Sequence, residues 1–135
     1  MILWLLAISP VFSQTGTVIF EVDGIDLKRG GDLSSGVFLE PGFPKVGKQF
    51  RGQATAITSS TMKVEFKDLP AGVYAAAIYQ DIDKNSDLKT NWIGLPQEPI
   101  GFSNNVRIKM GPPSFADAQF QVQPNKTVTL KITLR

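Results

Sequence analysis

Asp81, Asp83, Asn85 and Asp87 place four oxygen-bearing side chains at alternate positions of one short stretch. Calcium loops present ligands from their positions 1, 3, 5 and 7 with this spacing, and carboxylate and amide oxygens suit a hard cation such as Ca²⁺. The longer pattern then breaks. Its sixth position, a glycine in such loops, is Ser86, and its twelfth, a bidentate Glu, is Trp92. Lys89 stands at the ninth position, where a ligand is wanted. A cation held here would need further ligands from elsewhere in the chain, and Asn91, Glu98 and Asp117 are the candidates. The competing reading is an Asx-rich turn, in which short polar side chains bond their own backbone.

Other chemistry finds little to work with. Asp81, Asp83 and Glu98 could be read as the carboxylate pair of a glycoside hydrolase, which needs a proton donor and a base or nucleophile flanking the sugar. Nothing in their spacing sets such a separation. The sequence holds no histidine and no cysteine, which removes thiol nucleophiles, disulfides, imidazole acid–base catalysis and most transition-metal chemistry. Ser103 has no histidine to activate it and reads as a turn residue. No catalytic machinery is identifiable, and the chain reads as a non-enzyme.

Aromatic residues follow the Asp-rich stretch. Trp92, Phe102 and Phe115, with Glu98 and Asn104 beside them, could form a ligand-binding loop in which a sugar stacks on a ring next to polar groups. Rings in long loops also commonly pin those loops to the scaffold, and both readings stand.

The elements that must carry these residues are strands. Apolar and polar residues alternate in Val18–Val22, Met62–Phe66, Val106–Met110, Ala118–Val122 and Lys126–Leu134, the period of a half-buried strand. Gly36–Glu40 and Phe50–Thr58 are weaker examples. Val73–Tyr79 is apolar on both faces; its alanines favour helix, but Leu69-Pro70-Ala71-Gly72 before it is a turn and the Asp-rich loop follows at once. The expectation is an all-β, Ig-like antiparallel sandwich of about seven strands with no helix.

At 135 residues, with 42% hydrophobic and 19% charged, the chain has the size and composition of one globular domain. Residues Ile2–Ile8 are uninterrupted apolar, Pro10 follows, and Val11 and Ser13 satisfy the small-residue rule for cleavage after Ser13. Residues 1–13 therefore read as a signal peptide, although no Lys or Arg precedes the apolar run, and 14–135 as a single exported sandwich domain without a membrane span. A formal charge of +2 excludes the broad basic stripe of a nucleic-acid binder. Lys45, Lys48 and Arg51 form a local cluster that reads as a solvated loop.

Phe66-Lys67-Asp68-Leu69-Pro70-Ala71-Gly72-Val73-Tyr74-Ala75 resembles the turn-and-strand of transthyretin-like and carboxypeptidase-regulatory-like sandwiches. Asp81–Asn85, Ile93–Glu98, Gly101–Asn105 and Pro112–Ala118 then follow in an order that is similar to the bacterial exported family known as domain of unknown function 2141. The resemblance implies a β-sandwich outside the cytoplasm, periplasmic, surface-associated or secreted, and brings no activity with it. Gln80 stands where that family usually has His, and Lys89 where it usually has an acid.

Together these readings make the chain a binding or interaction module of the bacterial envelope, steadied in one version by Ca²⁺. Its ligand would be a glycan or a protein of the envelope or the extracellular space. A structural protein that assembles through its sheet edges, and a carboxylate hydrolase, are the alternatives.

Overall fold

The computed structural model describes residues 14–85 and 98–135. The expected signal peptide lies outside them, as do Asp87, Lys89, Asn91 and Trp92. Within them the chain forms β1 (Thr15–Asp23), β2 (Asp32–Phe38), β3 (Arg51–Ala56), β4 (Met62–Pro70) and β5 (Gly72–Asp81). It continues with β6 (Ile100–Phe102), a single helical turn α1 (Phe115–Ala118), β7 (Phe120–Val122) and β8 (Thr127–Thr133). One sheet has the order β4-β1-β8; the other has the order β3-β2-β5-β6, with β7 paired to the start of β5. The architecture is an all-β sandwich.

The alternation read in the sequence is what the two sheets bury. Val18, Phe20 and Val22 of β1, Val64 and Phe66 of β4, and Ile132 of β8 meet Leu33 and Val37 of β2 and Tyr74, Ala76 and Ile78 of β5. Phe20 sits at the centre, edge-on to Phe66 at 6.1 Å and to Phe120 at 5.8 Å. Burying a side chain of this kind is worth roughly 1.5–3 kcal/mol, so this cluster is the main source of stability. Ser35, between Leu33 and Val37 on β2, has a buried hydroxyl with no hydrogen-bond partner among the described residues.

A second, smaller core covers the other face of the larger sheet. Phe38, Ala77 and Phe102 are buried there beneath Phe43, Ile100 and Ile108. Phe43, which precedes a cis peptide bond to Pro44, stands edge-on to Phe38 (5.6 Å), Phe102 (6.1 Å) and Phe115 (6.1 Å). Loops therefore cover this face, while the partner sheet covers the inner one. Both coverings explain why β5 could afford only Ala75, Ala76 and Ala77 at its middle.

Four details depart from the sequence reading. Val106, Ile108 and Met110 alternate but form no strand: Ile108 packs onto the smaller core and Met110 is fully exposed. Among the described residues no neighbouring strand pairs with them, and alternation alone supplies no partner. Ala118 ends a helical turn begun by Ser114, whose side chain accepts a hydrogen bond from the Asp117 N–H, so only Phe120–Val122 remain as strand. The weak strand at Gly36–Glu40 lies earlier, at Asp32–Phe38, because Glu40-Pro41-Gly42 turns into a 3₁₀ helix. Finally, β1 pairs β4 antiparallel but β8 parallel, so the sandwich is not wholly antiparallel.

Among the described residues no helix is long and apolar enough to cross a membrane.

Candidate functional site

The Asp-rich stretch leaves β5 at a point where the strand changes character. Gln80 is fully buried, and every part of its amide is used: Oε1 accepts from the Asp26 N–H (3.0 Å) and Nε2 donates to the carbonyls of Asp26 and Gly30, both at 2.7 Å. This clamps the β1–β2 loop against the end of β5. Gly31, with φ +90°, lies so close to the backbone of Asp81 and Ile82 that a Cβ there would collide with the Asp81 carbonyl. Only glycine meets both demands.

Beyond the clamp the chain turns. Lys84, at φ 55°, donates its N–H to the Asp81 carbonyl at 3.4 Å, and the Asn85 N–H reaches Asp81 Oδ1 at 3.2 Å. Asn85 Nδ2 donates to Asp83 Oδ2 at 3.2 Å. These are the self-contacts of an Asx-type turn, and they fix two carboxylates on the same side of it. The Lys84 ammonium points elsewhere, 3.9 Å from Asp32.

The third carboxylate returns from a distance. The Gln80 N–H bonds the Pro99 carbonyl at 2.9 Å, aligning the approach to β6, and Glu98 Oε2 accepts the Ile82 N–H at 2.7 Å. Ile100 is held in turn by paired backbone bonds with Arg135, at 3.0 and 3.1 Å. Gly101 lets β6 lie against β8; a Cβ on it would come 2.6 Å from Ile132 and 2.7 Å from the Thr133 carbonyl. The result is a cluster in which oxygens of Asp81, Asp83 and Glu98 all lie within 4.8 Å of one another, with Asp81 (3% exposed) and Glu98 (2%) buried and Asp83 exposed.

Three carboxylates this close repel one another, more strongly where water is excluded. Oxygen-only donors at such separations have the chemistry of a hard-cation site, since Ca²⁺ collects carboxylate, amide and carbonyl oxygens at about 2.3–2.6 Å. Of the ligands suggested by the sequence, Asp81, Asp83 and Glu98 converge, and Asn85 is bonded into the same turn. Asp87 and Asn91 lie outside the described residues. Asp117 is on α1 and faces a different environment.

The aromatic loop fares differently. Phe102 is buried in the smaller core against Phe43, which leaves its ring inside the fold. Asn104 adopts φ 62°, a left-handed conformation that Asn tolerates, and its Nδ2 donates to the Asp117 and Gln119 carbonyls at 3.1 and 2.9 Å. Phe115 is half-buried against Phe43. Ser103 is fully buried: its Oγ accepts from the Ala76 N–H at 2.9 Å and donates to the Ala118 carbonyl, tying α1 to β5. These residues build the loop. Trp92 lies outside the described residues.

Sequence reasoning named Glu98 as one of three options, and no spacing rule singled it out. It overlooked the Gln80 clamp, whose one signal was an uncharged polar residue at the end of an apolar strand.

No curated protein and no solved structure matches the chain significantly. A family model matches residues 20–130, from the middle of β1 to the middle of β8, and therefore includes both sheets and the carboxylate cluster. The chain belongs to the domain of unknown function 2141 family, described as an uncharacterized protein conserved in bacteria.

Proposed function

We propose that this chain is an exported, non-catalytic binding module of the bacterial envelope, and that Asp81, Asp83 and Glu98 hold a divalent hard cation, Ca²⁺ foremost. The convergence of Glu98 on the two turn aspartates carries this reading. An Asx turn alone has no need of a buried carboxylate from the start of another strand. The cation would cross-link the end of β5 to the approach of β6, fixing the end of the sandwich from which the segment between them emerges. Loops at the end of a rigid sandwich are where such folds place recognition.

Catalysis is the weaker reading. Two of the three carboxylates are buried and packed close together, which suits an ion better than a sugar ring, and the chain has no His or Cys. Assembly through the edges is also disfavoured. Side chains of edge strand β3 are already engaged with β4 of the other sheet: Gln53 Nε2 donates to the Glu65 carbonyl at 2.6 Å and Arg51 to the Asp68 carbonyl at 3.3 Å.

Isothermal titration calorimetry of purified protein, stripped with chelator, tests the cation. One Ca²⁺ should bind per chain with a Kd of roughly 10⁻⁴–10⁻³ M, the range of extracellular modules. Glu98→Gln keeps an oxygen to accept the Ile82 N–H but removes the charge, and it should abolish the heat of binding. Absence of binding to the wild type at several millimolar Ca²⁺ would refute the proposal.

A further inference from the structure

We infer that the loop-covered face of the five-stranded sheet docks on an anionic lipid bilayer. In the sequence Lys45, Lys48 and Arg51 read as a solvated loop, but the fold sets a second basic loop beside them. Phe43 of the segment 39–51 and Ile108 of the segment 105–118 pack on the same small core, and Ile100 lines the hollows beneath both loops. Arg107 and Lys109 therefore join Lys45 and Lys48 on one face, while Arg51 turns the other way to the Asp68 carbonyl of the partner sheet, and the only carboxylates of the two segments are Glu40 and Asp117.

The apolar residues of these loops are divided in a way that solvent alone does not explain. Phe43 and Ile108 turn inward and the Phe50 ring packs against Tyr74 of the main core at 5.8 Å, whereas Val46 (43% exposed) and Met110 (fully exposed) join neither core. Of the six large apolar side chains exposed among the described residues, three that join neither core, Leu39, Val46 and Met110, lie on these two loops. Exposed apolar side chains concentrated in one region mark an interaction surface.

Charge complementarity selects the partner. Lysine is depleted from protein–protein interfaces, where burial strips its hydration. At a bilayer surface the same residue keeps its ammonium among headgroups while short apolar side chains beside it enter the acyl boundary. A phosphodiester backbone would attract the cations but would offer nothing to Val46 or Met110. The inference rests on the reading of the chain as a binding module and is independent of the carboxylate cluster.

The test is flotation of full-length mature protein with vesicles of phosphatidylglycerol in phosphatidylcholine, and with phosphatidylcholine alone, both in chelator. Binding should appear only with the anionic lipid and disappear in about 1 M salt, where the Debye length is roughly 3 Å. Each of Lys45→Gln, Lys48→Gln and Lys109→Gln should weaken it about fivefold. Val46→Ser combined with Met110→Ser should weaken it further without altering the thermal melt, since both side chains are exposed. Failure to float with anionic vesicles, equal flotation with neutral ones, or binding unaffected by the lysine substitutions would each overturn the inference. Because chelator is present throughout, a failed calcium titration leaves this result unaffected, and the reverse holds.

Discussion

Residues 75–77 and residues 80–81 of β5 are buried alike, yet their burial is made tolerable in opposite ways. The alanines are enclosed by shape. The partner sheet presses on one face and a loop-borne aromatic cluster on the other, leaving room for a methyl group and no more. Gln80 and Asp81 are enclosed by hydrogen bonds, and Gln80 is tolerated because its amide meets an N–H and two carbonyls of the facing loop. Shape complementarity gives way gradually when it is disturbed. A buried polar clamp fails all at once, because each orphaned group then carries its full desolvation penalty. The strand is thus rigid packing along its middle and polar joinery where the carboxylates begin.

That contrast can be broken at either end. Gln80→Leu keeps the volume and removes every bond of the clamp, and it should cost roughly 3–4 kcal/mol in urea denaturation, with the β1–β2 loop becoming a site of proteolysis. A loss under 1 kcal/mol would mean that water replaces the amide without penalty. Ala76→Leu attacks the shape-filled half and should cost about 2 kcal/mol by overpacking, with no change in any cation response.

Tyr74 sharpens the comparison, since it belongs to the packed half but carries a polar tip. Its hydroxyl donates to the Pro70 carbonyl at 2.6 Å, and Tyr74→Phe should cost about 1 kcal/mol at neutral pH. Burial raises the phenol pKa above its usual value, with the Arg51 charge pulling the other way. The native state therefore holds this proton more tightly than the unfolded chain does. The resulting stability is complete below pH of about 10 and is lost as pH rises through the native value. Above pH of about 10 the wild type should lose stability more steeply than Tyr74→Phe, and parallel losses would show that the phenol is not responsible.

Reading the sequence recovers the sandwich because β1, β4 and β8 each have one wet and one dry face, and that alternation is written residue by residue. It misreads Val106–Met110 for the same reason: the period is present, but pairing is a property of neighbours. The Ser114-x-x-Asp117 cap that makes Ala118 helical is a local pattern that the strand reading of Ala118, Phe120 and Val122 does not use. The parallel pairing of β1 with β8 joins the two ends of the domain, and no local pattern encodes it. The candidate site divides along the same line. Asp81, Asp83 and Asn85 are recognisable from spacing because one turn holds them together. Glu98 arrives through the β5–β6 ladder and the Gln80–Pro99 bond, so its place depends on tertiary structure.

If a cation completes the polar end of β5, a thermal melt in Ca²⁺ must differ from one in chelator. A site present only in the native state must raise Tm: at ten times Kd the gain is about 1.4 kcal/mol, or roughly 4–5 °C for a domain of this size. That rise is expected in the wild type and not in Glu98→Gln. An unchanged Tm in millimolar Ca²⁺, or an equal rise in the variant, would contradict cation binding there.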